Sequence, residues 1–400
     1  MGLAMVGGLV AALVLMLLPG AADAKGKGKK VGHTLNVMTR NLYLGADLSP
    51  ALQATTLNGA IDAAGKIVTQ VHATKFPSVR AALLAKEIQK QKPDVVGLQE
   101  AAWWRTEAYD PGVVVSGPKA TTTDPNGGDF LTDLLTQLNK KGKGKKGSAS
   151  AAKKGKSLQY RIAVVKPEFD YELPYNHGSG GLSVCPAQCA NERLTMRDAI
   201  LVRKGVKTSN ATSDSFKTLL RVKVGGVLNV DVTRGWAATD VKLHGRKVHV
   251  VDSHLEAFDG AASNTSNTGQ TYPKGGIREA QAKELLAGPT VSKLPTLLVG
   301  DFNSDVPAHG DQVTPGDTLA YQALLNGGFS ERALTPPPFG CCIQDPNLTD
   351  PSTAGITHRV DHIMSNSKKI KFKKGALTTT YANGLWSSDH YGLASQLLIK

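Results

Sequence analysis

Three short runs set the tightest limit on how this chain can fold. DVVGLQE (94–100), KVHVVDSH (247–254) and PTLLVGD (295–301) are brief, rich in Val and Leu, and flanked by turn-forming residues. Runs of that length and composition read as strands covered on both faces. Each of them nevertheless ends on a side chain that a sheet interior tolerates poorly, namely Glu100, His254 and Asp301. A charge is costly to bury unless something pairs with it. The strand ends therefore need a common place in which pairing is available.

The remaining pattern fits a layered α/β protein. TLNVMTRN (34–41), YRIAVV (160–165), RDAILVR (197–203), GWAATDVKL (235–243), RVDHIMS (359–365) and YGLASQLLI (391–399) read as further strands. Helical spacing marks SVRAALLAKEIQKQK (78–92) before Pro93, DFLTDLLTQL (129–138), GIREAQAKELLAG (276–288) closed by Gly288, and a stretch near 317–328. Strands that cluster with few helices between them predict two packed sheets with helices outside. No fixed-period repeat and no Pro/Gly-rich linker divides residues 34–400, so one domain is expected there.

The first 24 residues form an apolar stretch with a Pro-Gly break and the site Ala22-Asp23-Ala24. This reads as a secretory signal cleaved after Ala24, although its start lacks the usual basic residues. An exported, extracellular protein is expected. The net charge of +14 suggests a polyanion partner until its distribution is inspected. Twelve of those charges are lysines in the basic leader (25–33) and in the insert KKGKGKKGSASAAKKGK (140–156), neither of which contains an acid, leaving +2 for the rest. Lys, Gly and Ser cannot bury enough surface to order themselves, so both segments are expected to be flexible. The insert offers at most a weak, salt-screened contact with a polyanion. Gly142, Gly144 and Gly147 match G-x-G-x-x-G, but a helix precedes them and lysines follow, so the nucleotide-binding context is missing. Cys185, Cys189, Cys341 and Cys342 fit an oxidising compartment and disulfide-stapled loops, with three pairings open.

Further polar groups share the strand-end habit. Asn41 ends the first strand, Asn303 follows Asp301-Phe302, Asp361 lies within RVDHI, and Asp389-His390 precede the last strand. Singly, each has an ordinary reading as a turn cap, a surface acid, a core histidine or half of an ion pair with Arg359. Together, carboxylates from several strand ends stay ionised side by side only around a cation, and oxygen donors select a hard ion such as Mg²⁺ or Mn²⁺. Two histidines add groups that exchange protons near neutral pH. That set suits metal-assisted hydrolysis of a phosphoester.

The motifs VVGLQE, VDSHLEAF, VGDFNSD, RVDHI and SSDH, in this order and strand context, resemble those of the endonuclease/exonuclease/phosphatase superfamily, and DSHLEAF is most similar to its sphingomyelinase-like and secreted bacterial branches. The resemblance runs from about Leu35 to Ile399. It implies a four-layer α/β sandwich, with two mixed β-sheets face to face and helices outside. It also implies Glu100 as the main metal ligand with Asn41 and Asp389 beside it, and Mg²⁺ as the ion, with Mn²⁺ or Ca²⁺ as substitutes. By the same resemblance Asp301 and Asn303 orient the attacking water and hold the phosphate, and Asp361 fixes the tautomer of His390. His390 then acts as base or transition-state stabiliser, and His254 meets a phosphate oxygen or the leaving group. Asp198 and Glu192 are the candidate acids behind His254.

The substrate stays open at this level. KKIKFKK (368–374), with its alternating lysines on an exposed or edge strand, and the lysine insert favour a nucleic acid. Trp103 and Trp104 favour a phospholipid if they form a membrane wedge, though core positions are the better expectation. The expected activity is phosphodiester hydrolysis of one or the other by a monomer without a stable protein partner. The alternatives are a phosphomonoesterase and a catalytically silent polyanion-binding protein on the same fold.

Overall fold

The computed structural model describes residues 33–140, 158–185, 187–258, 275–307 and 318–400. The expected signal segment, the leader up to residue 32 and insert residues 141–156 lie outside the described residues.

Two sheets carry the fold. The larger has eight strands, running in order Ile370–Thr378, Gly392–Ile399, His33–Asn41, Val95–Gln99, Cys189–Arg203, Trp103–Ala108 and Thr122–Thr123, with Tyr160–Asn176 also pairing with Cys189–Arg203. The smaller has six, in order Ser330–Glu331, Asp361–Ser365, Thr296–Asp301, Arg246–His254, Gly235–Leu243 and Lys207–Ser215. Both are mixed: His33–Asn41 lies parallel to Val95–Gln99, and Arg246–His254 parallel to Thr296–Asp301, among otherwise antiparallel neighbours.

Side-chain alternation along these strands builds three stacked cores. Val37, Val95, Val250, Leu297, Val299 and Ile363 meet between the sheets. The intervening residues point outward. Met38, Val96 and Leu98 meet the helices Leu57–Ala73, Ala81–Gln91 and Phe130–Asn139 on one side. Val251, Leu298 and Met364 meet Gly276–Ala287 and Leu319–Asn326 on the other. The result is the expected four-layer sandwich. Each fully buried Val or Leu contributes about 1.5–3 kcal/mol, so the doubly covered strands dominate its stability.

Helix starts follow local chemistry. Asp129 accepts from the N–H groups of Leu131 and Thr132, and Thr56 accepts from Gly59, each satisfying donors that the first turn leaves free. Several elements depart from expectation. Leu57–Ala73 is a 17-residue helix that Gly59 and Gly65 conceal in the sequence. The strands expected at 160–165 and 197–203 extend to Tyr160–Asn176 and Cys189–Arg203, because register shifts near Ile162 and Pro167 let the ladder continue past a proline. Asp361 opens its strand instead of lying mid-strand. Residues 370–378 do form an edge strand, and Trp104 is core at 3% exposure, with its indole N–H donating to the Leu44 carbonyl. The cysteines pair locally, Cys185 with Cys189 at the start of the strand Cys189–Arg203 and Cys341 with its neighbour Cys342. Among the described residues no helix is long and apolar enough to cross a membrane.

Candidate active site

The alternation that builds the inner core also builds the site. On the face carrying Val37, the following members of the same parity are Thr39 and Asn41; beyond Val250 come Asp252 and His254; beyond Val299 comes Asp301. At one end the gap between the sheets thus changes from apolar to polar. Strand register aligns the ends, with His254 opposite Asp301 and Asp301 opposite Asp361. Two glycines make the approach possible. A Cβ on Gly97 would stand 2.3 Å from Asp252 Oδ1, and one on Gly300 would stand 1.9 Å from the Ser253 carbonyl, at a φ of +149°. Glu100 (φ 55°), directly after its strand, and Asn303 (φ 47°), two residues after its own, then take left-handed backbone, an uncommon conformation outside glycine. The loop of His390 is held by two buried arginines. Arg40 donates to the Ser387 hydroxyl (2.9 Å) and to the His390 carbonyl, and Arg80 donates to the Ser387 carbonyl (3.0 Å) and the Tyr43 carbonyl (3.0 Å).

Asn41 links the two sheets. Its amide nitrogen donates to Glu100 Oε1 (3.0 Å) and Asp301 Oδ2 (2.9 Å), while its oxygen accepts from the Tyr43 N–H (2.8 Å). Asn41 therefore steadies both carboxylates. Glu100 Oε2 accepts from the Leu44 N–H at 2.6 Å, and Asp301 Oδ1 from the Asn303 N–H at 2.9 Å. Both imidazoles face the other Asp301 oxygen: His254 Nε2 at 3.6 Å and His390 Nε2 at 3.7 Å. Asp361 Oδ2 meets His390 Nδ1 at 2.8 Å. Arg359, the dull partner considered for Asp361, donates to its backbone carbonyl and leaves the carboxylate to the histidine.

The two histidines differ in charge. Burial, then Arg234, His390 and Arg278, hold His254 well below the usual imidazole range. Burial also opposes a charge on His390, but Asp361, Asp389 and Asp301 outweigh it and raise that imidazole well above its ordinary value. A guanidinium can only donate, so the Arg234 contact with His254 Nδ1 (3.1 Å) requires a lone pair there and puts the ring proton on Nε2. The Asn303 amide nitrogen, 3.0 Å from Nε2, is also a donor and is engaged by the Leu255 carbonyl at 3.0 Å, so that contact is a close approach and not a hydrogen bond.

Four carboxylates, Glu100, Asp301, Asp361 and Asp389, share this region. Burial and then Asp389 raise the pKa of Glu100, burial and Asp361 raise that of Asp301, and Asp361 Oδ1 has no hydrogen-bond partner. Excess negative charge on an all-oxygen donor set fits a hard divalent cation. Asp301, Asp361 and His390 also place ligand atoms within 4.8 Å of one another. A cleft of about 330 Å³ opens onto Glu100 and Asp389 between Tyr43, Phe258 and Ile343, with Asp301 and both imidazoles buried behind it.

The structure thus brings Asn41, Glu100, His254, Asp301, Asn303, Asp361, Asp389 and His390 to one end of the sandwich. The acids expected behind His254 divide. Asp198 lies within 4.8 Å of it, together with Glu168, which the sequence did not suggest. Glu192 is elsewhere, paired across the ladder with Thr106. Six residues of extended strand separate it from Asp198, about 20 Å. The residue that meets His254 Nδ1 is Arg234, itself ion-paired with Glu168 and Glu256 at 3.5 Å each. No motif marked it. Its place immediately before the strand Gly235–Leu243, which runs beside His254, was the only available signal.

The sequence profile of the Endonuclease/Exonuclease/phosphatase family matches residues 74–390, a span that contains every residue of the set except Asn41. No curated protein matches the chain in sequence. Among solved structures, an endonuclease/exonuclease/phosphatase family protein from Leptotrichia buccalis is similar at 14% identity and a TM-score of 0.46, over 91% of this chain and 99% of that one. The mannosyl-6-phosphatase of Bacteroides thetaiotaomicron gives 14% and 0.44 over 91% and 99%. TDP2 of D. rerio, humanized by 14 mutations, gives 15% and 0.45 over 91% and 98%. On the span of the profile match and the strand-end motifs within it, the chain belongs to the Endonuclease/Exonuclease/phosphatase family and carries its phosphoesterase fold.

Proposed function

We propose that the chain is a divalent-metal-dependent phosphodiesterase. The observation that carries this reading is the convergence on Asp301: Asn41 ties it to Glu100, and two imidazoles of opposite electrostatic surroundings face one of its oxygens. Glu100 and Asp389 would hold the ion, expected to be Mg²⁺ with Mn²⁺ or Ca²⁺ as substitutes, and Asn41 would orient Glu100. When bound, such an ion neutralises phosphate charge and makes water more acidic.

The chain's own groups account for the rest. Asp301, fixed by Asn41 and by the Asn303 N–H, takes a proton from the attacking water. The water oxygen bonds to phosphorus, and the opposite P–O ester bond breaks. His390, oriented by Asp361, places positive charge beside the phosphoryl oxygens, where negative charge spreads in the transition state. His254 offers its Nε2–H as a hydrogen bond to a phosphoryl or leaving oxygen, and the departing alkoxide takes up from solvent a proton equivalent to the one that Asp301 gained and then releases. The signal-like residues 1–24 support an exported enzyme, and the lysine insert supports a weak accessory contact with polyanions.

The test is a panel of plasmid DNA, RNA, sphingomyelin, phosphatidylcholine and inositol phosphates, assayed with Mg²⁺ and with EDTA. Turnover of at least one diester should appear with the metal and vanish on chelation. Glu100→Gln should remove most of that turnover with the melting temperature retained. Full activity in this variant, or in EDTA, overturns the reading.

A further inference from the structure

The cleft beside Glu100 and Asp389 does not end at its polar wall. Leu48, Leu52 and Phe169 line both that cleft and a second, apolar one of about 70 Å³, which continues between Ala64, Trp104 and Val230. Cations are scarce along the way. Among the described residues Arg234 is the only Lys or Arg lining either cleft, and it is occupied by Glu168, Glu256 and His254. A nucleic acid needs several cations to receive successive phosphates. These walls offer hydrocarbon instead.

A second observation points to a ligand. Glu192 is the one carboxyl group in the apolar cleft; it is 7% exposed, and neither of its oxygens has a hydrogen-bond partner. Burial, followed by Asp124, pushes it up to about 9, so it is a neutral acid with a proton to donate. The Thr106 hydroxyl, which would favour the ionised form, donates to the Asn191 carbonyl at 3.2 Å. A buried carboxyl that makes no hydrogen bond is a cost that a ligand carbonyl or ether oxygen would relieve.

We propose that the apolar cleft receives the first few carbons of a hydrocarbon chain on an amphiphilic phosphoester, whose phosphate lies beside Glu100 and Asp389 and whose chain-linkage oxygen faces Glu192. This deepens the phosphodiesterase reading and rests on it. The small volume limits the contact to a short stretch, with the rest of the chain projecting outward.

A series of alkylphosphocholines from methyl to decyl, each a phosphodiester with the same head, tests this with the full-length chain and Mg²⁺. The value of kcat/KM should rise about fourfold per methylene over the first carbons and then level off. Ala64→Leu, which fills the cleft, and Leu52→Trp, which narrows its mouth, should both flatten the series, with circular dichroism confirming that at least one of them is folded. A flat series in the unmodified protein, with the methyl ester still hydrolysed, overturns the cleft assignment and spares the phosphodiesterase. Faster cleavage of plasmid DNA than of any alkyl ester overturns it as well. If no diester is hydrolysed, the activity reading fails and calorimetry decides the cleft. Tighter binding of decyl- than of methylphosphocholine, lost in the folded variant, supports it, and equal binding overturns it.

Discussion

His254 and His390 lie on either side of one aspartate oxygen, at 3.6 and 3.7 Å, yet their surroundings have opposite sign. Behind His390 stands Asp361 at 2.8 Å, with Asp389 and Asp301 adding to its field. Behind His254 stands Arg234 at 3.1 Å, with Arg278 also disfavouring a charge. The same side chain is therefore a cation on one side and a neutral donor on the other. A site that must stabilise a spreading negative charge and also present a proton to one oxygen gains from having both.

The sharpest way to break this comparison is to replace each ring. His390→Ala and His254→Ala should each lower kcat by about a hundred- to ten-thousandfold, measured on whichever diester the panel identifies. Asparagine separates the roles. It retains a hydrogen-bond donor and carries no charge, so His254→Asn should recover part of the loss, whereas His390→Asn should be no better than alanine. Equal recovery at both positions would mean that the two rings do the same work.

Arg234 is the next lever, because it fixes the tautomer of His254 and neutralises Glu168 and Glu256. With all three side chains almost completely buried, Arg234→Gln should cost about 3–5 kcal/mol of unfolding free energy, read from urea titration. In the folded fraction His254 should accept a proton more readily, since one of the two largest influences holding it neutral is gone. Nitrogen chemical shifts of the ring report this directly. A neutral, Nε2-protonated His254 in the variant would show that Arg234 is not what sets its state.

The contrast between the two histidines also marks the limit of what the sequence discloses. Glu100, His254, Asp301 and Asp361 were legible because each is a polar residue at the end of an apolar strand, and period-two alternation places such ends on one face. The partner of His390 was legible through the family resemblance and not from the strand pattern, and Asp361 lies 2.8 Å from its Nδ1. The partner of His254 was not. Arg234 comes from an antiparallel neighbour, and no local pattern says which residue of that strand lies behind a given imidazole. Glu192 was misplaced for a related reason. It and Asp198 share parity on one long strand, but the sequence indicated a strand of seven residues where fifteen are present. The helix Leu57–Ala73, which forms a wall of the apolar cleft through Ala64, was hidden by its own glycines. Fold class, then, follows from strand composition, whereas the pairing of buried charges depends on strand length and bulges that composition does not encode.

Glu192 isolates the burial component of the histidine comparison, with an effect that is absent near pH 4 and grows as the pH rises. Its folded-state value of about 9 lies far above that of an unfolded glutamate, with burial as the largest cause and Asp124 next. A carboxyl raised in this way is harmless while both states are protonated, below the unfolded value of about 4.3. As the pH climbs from there towards 9, the unfolded chain releases its proton and the folded chain retains it, so stability is progressively lost. Glu192→Gln keeps the shape and a donor but cannot ionise. It should leave the melting temperature unchanged near pH 4 and raise it increasingly up to pH 9, since each pH unit over which only the unfolded chain loses its proton costs the unmodified protein about 1.4 kcal/mol. The Asp124 charge would be left without its repulsive neighbour, which adds to the gain in the same direction. A variant whose melting temperature follows that of the unmodified protein at every pH would show that Glu192 is already solvated or paired, and would remove the ground for placing a ligand oxygen opposite it.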